Sequence, residues 1–230
     1  MDVLERQITG LQADAERWDV QQILRWGLST FGQSLALASS FGAEDVVLID
    51  IASRISKFRV FTLDTDFLFP ETYALIDEIE ARYGVEVEHT RSELTPEAQA
   101  AQYGPALWAS RPDTCCQLRK VEPLKKKLSG LAAWVTGVRR DQAPTRANTR
   151  KLEWDAKFGL AKLNPLADWT WSEVWDYVRA NNVPYNPLHD RDYPSIGCTY
   201  CTRPVKPGED PRAGRWSGFN KTECGLHVKD

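Results

Sequence analysis

Across residues 1–30 the apolar positions Leu4, Ile8, Leu11, Trp18, Ile23, Leu24 and Leu28 recur at near-helical spacing among charged and amide side chains. One or two amphipathic helices are expected there. The period then changes: 34–38 reads as a strand, Ser39 to Asp45 as a turn of small and polar residues, and 46–55 as a helix. A second strand over 58–63 leads through Asp64-Thr65 and Pro70 into a helix over 71–83, and a third strand over 85–89 follows Gly84. A helix over 115–128 then precedes a fourth strand over 132–136. This alternation predicts an α/β fold, a parallel sheet flanked by helices on both faces. Ligands of such sheets sit beyond the carboxyl ends of the strands, where Ser39–Asp45, Asp64-Thr65 and Gly137–Arg140 would emerge. After Arg150 the pattern predicts a helix over 171–179 and a segment rich in Pro, Asn and Gly. From Lys206 the periodicity disappears, and Pro207, Gly208, Pro211, Gly214 and Gly218 punctuate what reads as a mobile tail. The chain therefore divides into an N-terminal helical segment (1–30), an α/β domain (31–205) and a flexible tail (206–230).

With 230 residues, 42% hydrophobic and 27% charged, one domain with a sizeable core is expected. The net charge of −3 gives no global attraction for nucleic acid, so an anionic ligand must be held by local charge. No apolar run approaches the roughly 18 residues of a membrane span, and charge begins at Asp2. A soluble cytoplasmic protein without a membrane association is expected, and a homo-oligomer is compatible with the sequence.

The cysteines change the picture. They form an adjacent pair, Cys115-Cys116, a Cys-x-x-Cys pair, Cys198 and Cys201, and a single Cys224 near the C-terminus. Four plus one suits a thiolate-held metal centre with one sulfur left to react. Adjacent ligands fit tetrahedral zinc poorly, whereas an iron-sulfur cube offers four separate corners; zinc and buried free thiols stay as alternatives. The Ser39–Asp45 turn, with Ser39, Ser40 and Gly42, offers hydroxyls and N–H groups at a helix start, as a phosphate cradle does, or is an ordinary strand-to-helix connection. Arg119, Lys120, Arg139, Arg140, Arg146, Arg203, Arg212 and Arg215 crowd the loops near the cysteines, which favours a phosphate- or sulfate-bearing ligand over solvated surface charge. His227 follows Cys224 by three residues; His89 and His189 are expected to be structural.

Ser-Ser-Phe-Gly-Ala-Glu-Asp (39–45), Leu-Asp-Thr (63–65), Cys-Cys-x-x-Arg-Lys (115–120), Thr-Gly-x-Arg-Arg-Asp-Gln (136–142), Cys-x-x-Cys (198–201), Arg-Ala-Gly-Arg-Trp (212–216) and Lys-Thr-Glu-Cys-Gly-Leu-His (221–227) occur in this order. The set closely resembles the assimilatory adenylyl-sulfate reductases. That resemblance implies an adenine nucleotide alpha-hydrolase-like fold related to the pyrophosphatase-loop enzymes. It also implies thioredoxin-dependent reduction of adenosine 5'-phosphosulfate to sulfite and AMP through an S-sulfocysteine on Cys224. A 4Fe-4S cluster would be held by Cys115, Cys116, Cys198 and Cys201. Ser39, Ser40 and Gly42 would face the phosphate, Leu63 and Gly137 would frame the adenosine, and Arg146 would assist the α-phosphate. Lys120, Arg212, Arg215 and His227 would surround the sulfate, and a thioredoxin- or glutaredoxin-type dithiol would be the reductant. Family relatives acting on the 3'-phosphorylated substrate commonly lack the four other cysteines, which favours the unphosphorylated one. Three departures are visible: Asp66 where Gly often stands, a turn at Pro144-Thr145-Arg146 one residue short, and Ser217-Gly218 after Trp216. The competing readings are reduction of the 3'-phosphorylated substrate, an ATP-using sulfurylase or thiolation enzyme, and a zinc-stapled nucleotide-binding module without catalysis.

Overall fold

A computed structural model describes residues 3–219, 221 and 223–226. Two helices open it, α1 (Val3–Ala15) and α2 (Val20–Phe31). The break between them ends in a capping box: the Asp19 carboxylate accepts from the Gln22 N–H, and the Gln22 side chain accepts from the Asp19 N–H, both at 2.8 Å. The buried stripe of α2 includes Gly27, where a Cβ would stand 2.5 Å from Leu163. A glycine is needed for the helix to lie this close to the sheet.

Then follow β1 (Leu35–Ala38), α3 (Ala43–Ser53), β2 (Arg59–Asp64), α4 (Pro70–Tyr83) and β3 (Val87–Arg91). Helices α5 (Pro96–Tyr103), α6 (Leu107–Ser110) and α7 (Pro112–Cys116), a π turn (Gln117–Val121) and α8 (Glu122–Leu128) lead to β4 (Ala133–Val135). Strands β5 (Leu152–Asp155) and β6 (Leu160–Leu163) and helix α9 (Trp171–Asn181) complete the regular elements. The sheet order is β3-β2-β1-β4-β6-β5, parallel except for β5, which runs antiparallel to β6.

The strand period of two sends side chains to two cores. Leu35, Leu37, Val60, Ala133 and Val135 face the larger one, which encloses the apolar helix α3; Ala36, Phe61 and Trp134 face the smaller one with Leu124 and Leu128 of α8. Sequence and structure differ at the antiparallel edge. The β5–β6 hairpin is absent from the periodicity because its strands are short and carry Glu153 and Lys162, buried beside each other. The expected helix over 115–128 begins earlier, at Pro112, and widens into the π turn immediately after the cysteine pair.

The chain after Cys201 packs back on itself. Thr202 bridges Arg215, the Arg203 backbone N–H donates to the Gly214 carbonyl, and Trp216 is buried with its backbone N–H on the Cys201 carbonyl. No helix among the described residues is long and apolar enough to cross a membrane.

Candidate active site

The strand order reverses direction at β1, whose neighbours β2 and β4 are reached by connections running opposite ways. A crevice opens at the carboxyl ends of such strands. Here it is a cavity of about 310 Å³. Its lining includes Ser39, Ser40 and Gly42 after β1, Leu63 in β2, Gly137 after β4, Lys120 from the π turn, and Arg146, Arg212, Arg215 and Cys224 from the later loops. His227 lies outside the described residues. The other sequence-derived candidates for substrate contact and nucleophile thus share one cavity, although 185 positions separate Ser39 from Cys224.

The turn after β1 is rigidly built. Phe41 has φ +58°, its N–H donates to the Ser39 hydroxyl at 3.1 Å, and Gly42 caps α3. Asp45 accepts from the Ser40 N–H at 2.6 Å and from its hydroxyl at 2.8 Å, so the Ser40 donors bind the protein. Burial pushes the Asp45 carboxyl up to about 6, against the pull of the Ser40 hydrogen bonds. A Cβ at Gly137 would collide with Asp45, so this glycine lets the end of β4 abut the turn. At the end of β2, burial disfavours the Asp64 carboxylate. Hydrogen bonds from Tyr73, Arg91 and His89 outweigh it, and the pKa falls to about 2.

The basic loops are not all available to a ligand. Arg119 is spent on Gln99, Asp66 and the Thr65 and Leu94 carbonyls; Arg139 on Glu44 and Asp141; Arg140 on Glu16; and Arg203 on Glu209. Arg215 is placed by Ser195 at 3.0 Å and lies on the Trp216 ring, and a side chain at Gly197 would displace its guanidinium. Burial pulls the Lys120 ammonium down, but the sulfurs of Cys198 and Cys224 outweigh it and hold the group above its ordinary range.

Beside this cavity, Cys115, Cys116, Cys198 and Cys201 line a small cleft with Phe67, Trp108, Arg119, Lys120 and Tyr200. Lys120 is common to both spaces. The Thr199 N–H donates to the Phe67 carbonyl at 2.8 Å and Thr65 Oγ1 lies 3.3 Å from Cys198 Sγ, which ties the Cys-x-x-Cys loop to the end of β2. None of the five cysteines is in a disulfide. Burial, then the mutual repulsion of the sulfurs, pushes Cys115 up to about 12 and Cys201 to about 11. Four thiolates here require a compensating cation, and this all-sulfur donor set fits a thiophilic metal centre. Among the described residues, no three His, Cys, Asp or Glu side chains converge on a single-ion position.

Cys224 is half-buried between two anchors. Lys221 pairs with Asp113 at the start of α7, and the Gly225 carbonyl accepts from Lys157 Nζ at 2.8 Å. Glu223 accepts from Arg146 at 3.0 and 2.9 Å, from Arg212 at 3.3 Å and from the Thr145 hydroxyl at 3.2 Å. Sequence reasoning quoted Glu223 and Asp45 within their motifs without a role, and it missed Asp113 and Lys157. Only the tertiary partners reveal them, since an acidic or basic residue in a polar segment carries no sequence signal of what it will meet.

The fold, with this crevice at the carboxyl ends of its strands, defines an α/β protein of the adenine nucleotide alpha-hydrolase-like, pyrophosphatase-loop-related fold class. Fungal FMN adenylyltransferase from Candida glabrata shares that fold, with a TM-score of 0.59 at 17% identity over 94% of this chain and 76% of its own. Residues 34–204 match the phosphoadenosine phosphosulfate reductase domain, and the chain belongs to that family. It is 52% identical to the adenosine 5'-phosphosulfate reductase of Halalkalibacterium halodurans, covering 92% of this chain and 93% of that one. The crystal structure of a phosphoadenylyl-sulfate reductase from Candida auris, a phosphate complex, superposes with a TM-score of 0.76 at 30% identity, covering 88% of this chain and 99% of that one.

Proposed function

We propose that the chain reduces adenosine 5'-phosphosulfate to sulfite and AMP in sulfate assimilation, with Cys224 as nucleophile. The carrying observation is that a tail cysteine shares one cavity with Lys120, Arg146, Arg212 and Arg215 at the nucleotide end of the sheet. The Cys224 thiolate attacks the sulfate sulfur, the bond from sulfur to the bridging phosphate oxygen breaks, and AMP leaves with that electron pair. Both reactants are anionic, so the reaction needs fixed positive charge where the sulfuryl oxygens gather it. Lys120, Arg212 and Arg215 supply it, Arg146 takes the α-phosphate, and His227 joins the sulfate set by motif. The turn after β1 receives the nucleotide phosphate through Ser39 and Gly42, while Asp45 holds the donors of Ser40, and Leu63 and Gly137 frame the adenosine.

The S-sulfocysteine is discharged by a thioredoxin- or glutaredoxin-type dithiol. Its thiolate attacks the Cys224 sulfur and expels sulfite; its second thiol then resolves the mixed disulfide, leaving an oxidised partner and free Cys224. The tail must swing outward for this exchange, so 206–230 is a mobile catalytic element. Unpaired cysteines and a dithiol reductant suit the reducing cytoplasm.

Cys115, Cys116, Cys198 and Cys201 would hold a 4Fe-4S cluster. Adjacent helical residues point about 100° apart, which suits separate iron corners better than one zinc ion. When bound, the cluster would supply a compact cationic core that offsets part of the charge of four thiolates and sets the field at Lys120. The protein's part is to join α7 to the 198–201 loop and to aim Lys120 into the cavity. Relatives named adenosine 5'-phosphosulfate reductase and the four-cysteine set favour the substrate without a 3'-phosphate.

Cys224→Ser tests this reading. It predicts loss of sulfite production with AMP binding retained; sulfite production by the serine variant would refute it. An ATP-using enzyme on this fold would survive the change.

A further inference from the structure

The carboxylate directly before the nucleophile has no part in the reaction just described. Glu223 nevertheless sits inside the cavity with its side chain only 9% exposed. Both carboxylate oxygens engage Arg146, at 3.0 Å to Nε and 2.9 Å to a terminal nitrogen, and Arg212 and Thr145 complete the set at 3.3 and 3.2 Å. This two-pronged grip, reinforced by a second guanidinium, is how proteins hold the oxygens of a phosphate or sulfate. The other carboxylates of the cavity are engaged elsewhere: Glu44 with Arg139 and Gln142, Asp141 with Arg139, and Asp45 with Ser40. Burial works against the Glu223 carboxylate, but Arg146 outweighs it and keeps the group ionised, as an anion mimic requires.

Resting on the proposed reaction, we infer that Glu223 is a built-in stand-in for the substrate's anion, holding Arg146 and Arg212 until a phosphate-bearing nucleotide displaces it. Two arginines cannot give the same donors to the carboxylate and to an entering phosphosulfate. The displaced residue is one peptide from Cys224, so filling the cavity and unfastening the neighbour of the nucleophile become a single event. The coupling is reciprocal: whatever free energy the nucleotide spends in lifting Glu223 is returned when the carboxylate re-engages and drives AMP out. A carboxylate that merely braced the arginines for the ligand would act in the opposite sense, since its removal would weaken nucleotide binding.

Calorimetric titration of AMP and of adenosine into the full-length wild type, Glu223→Gln and Glu223→Asp decides between these. Glu223→Gln is expected to bind AMP on the order of tenfold more tightly, the factor by which an occupant present about nine-tenths of the time weakens apparent affinity. Glu223→Asp keeps the charge but is one methylene too short to grip both arginines, and it too should tighten AMP. Adenosine, lacking the phosphate, should bind all three alike. Unchanged or weaker AMP binding in Glu223→Gln overturns the inference. So does a Glu223→Asp that matches the wild type, because long-range charge would then be sufficient. If the glutamine variant does not fold, the aspartate variant alone carries the comparison. Sulfo-adduct formation on wild-type Cys224 is scored separately: its absence rejects the proposed reaction, while the AMP series still decides the role of Glu223.

Discussion

Asp45 stands in the first turn of α3 and Asp64 at the end of β2, and burial works against both carboxylates, yet their pKa values shift in opposite directions. Asp64 has three side-chain donors and falls to about 2; Asp45 has one, the Ser40 hydroxyl, beside the backbone N–H groups of Ser40 and Gly42, and rises from 3.8 to about 6. The two therefore act oppositely on stability. Asp45 contributes fully below its unfolded pKa, and the contribution is lost as pH rises through about 6. Asp64 contributes above its unfolded pKa, and that contribution is lost as pH falls through about 2. Urea titrations of wild type and Asp45→Asn should show the wild type losing ground to the variant between about pH 4 and 7, by up to about 3 kcal/mol. A pH-independent difference would contradict the buried-carboxylate account. Gly137→Ala should cost about 1–3 kcal/mol in the same assay and weaken AMP binding, because the added methyl meets Asp45. The turn itself was legible from Ser39, Gly42 and the strand before it; the pairing of Ser40 with Asp45 was not, because sequence spacing does not report side-chain direction.

Among the elements, the alternation that yields β1 to β4 was legible because β1, β2 and β4 are apolar at their centres, Val85 and Val87 mark the largely polar β3, and α4 is punctuated at Pro70 and Gly84. The hairpin of β5 and β6 was not, since Glu153 and Lys162 are charged residues that become tolerable inside through tertiary partners: one another, the Asn164 amide that donates to Glu153, and the Trp134 ring beside Lys162. Helices α5 and α6 are too short to display a period. The cysteine elements show the same division: their sulfur count was readable, whereas the π turn and the tie between Thr199 and Phe67 needed the fold. Their joint role gives an element-scale prediction. Cys201→Ser should lose iron, acid-labile sulfide, visible absorbance and reductase activity together, and full turnover without iron would contradict it. Trp134→Ala, which empties the smaller core beneath α8, should destabilise the fold by about 3–5 kcal/mol in urea.

At the scale of the molecule, a net charge of −3 coexists with a cavity that gathers Lys120, Arg146, Arg212 and Arg215. Attraction for an anionic nucleotide is therefore local, and partly screened by salt. The KM for adenosine 5'-phosphosulfate should rise between low and physiological ionic strength, while adenosine binding stays level; a KM indifferent to salt would argue against the cationic pocket. The fold brings the C-terminal segment to the first β-α turn, and the whole account depends on that long-range meeting. The most direct measurement is intact-mass analysis, with peptide mapping, after anaerobic incubation with adenosine 5'-phosphosulfate and no reductant. The account predicts one added SO3 on Cys224 and an equal amount of free AMP, the adduct then being removed by a reduced dithiol with release of sulfite. AMP and sulfite formed with Cys224 unmodified throughout, or an adduct on another residue, would contradict it.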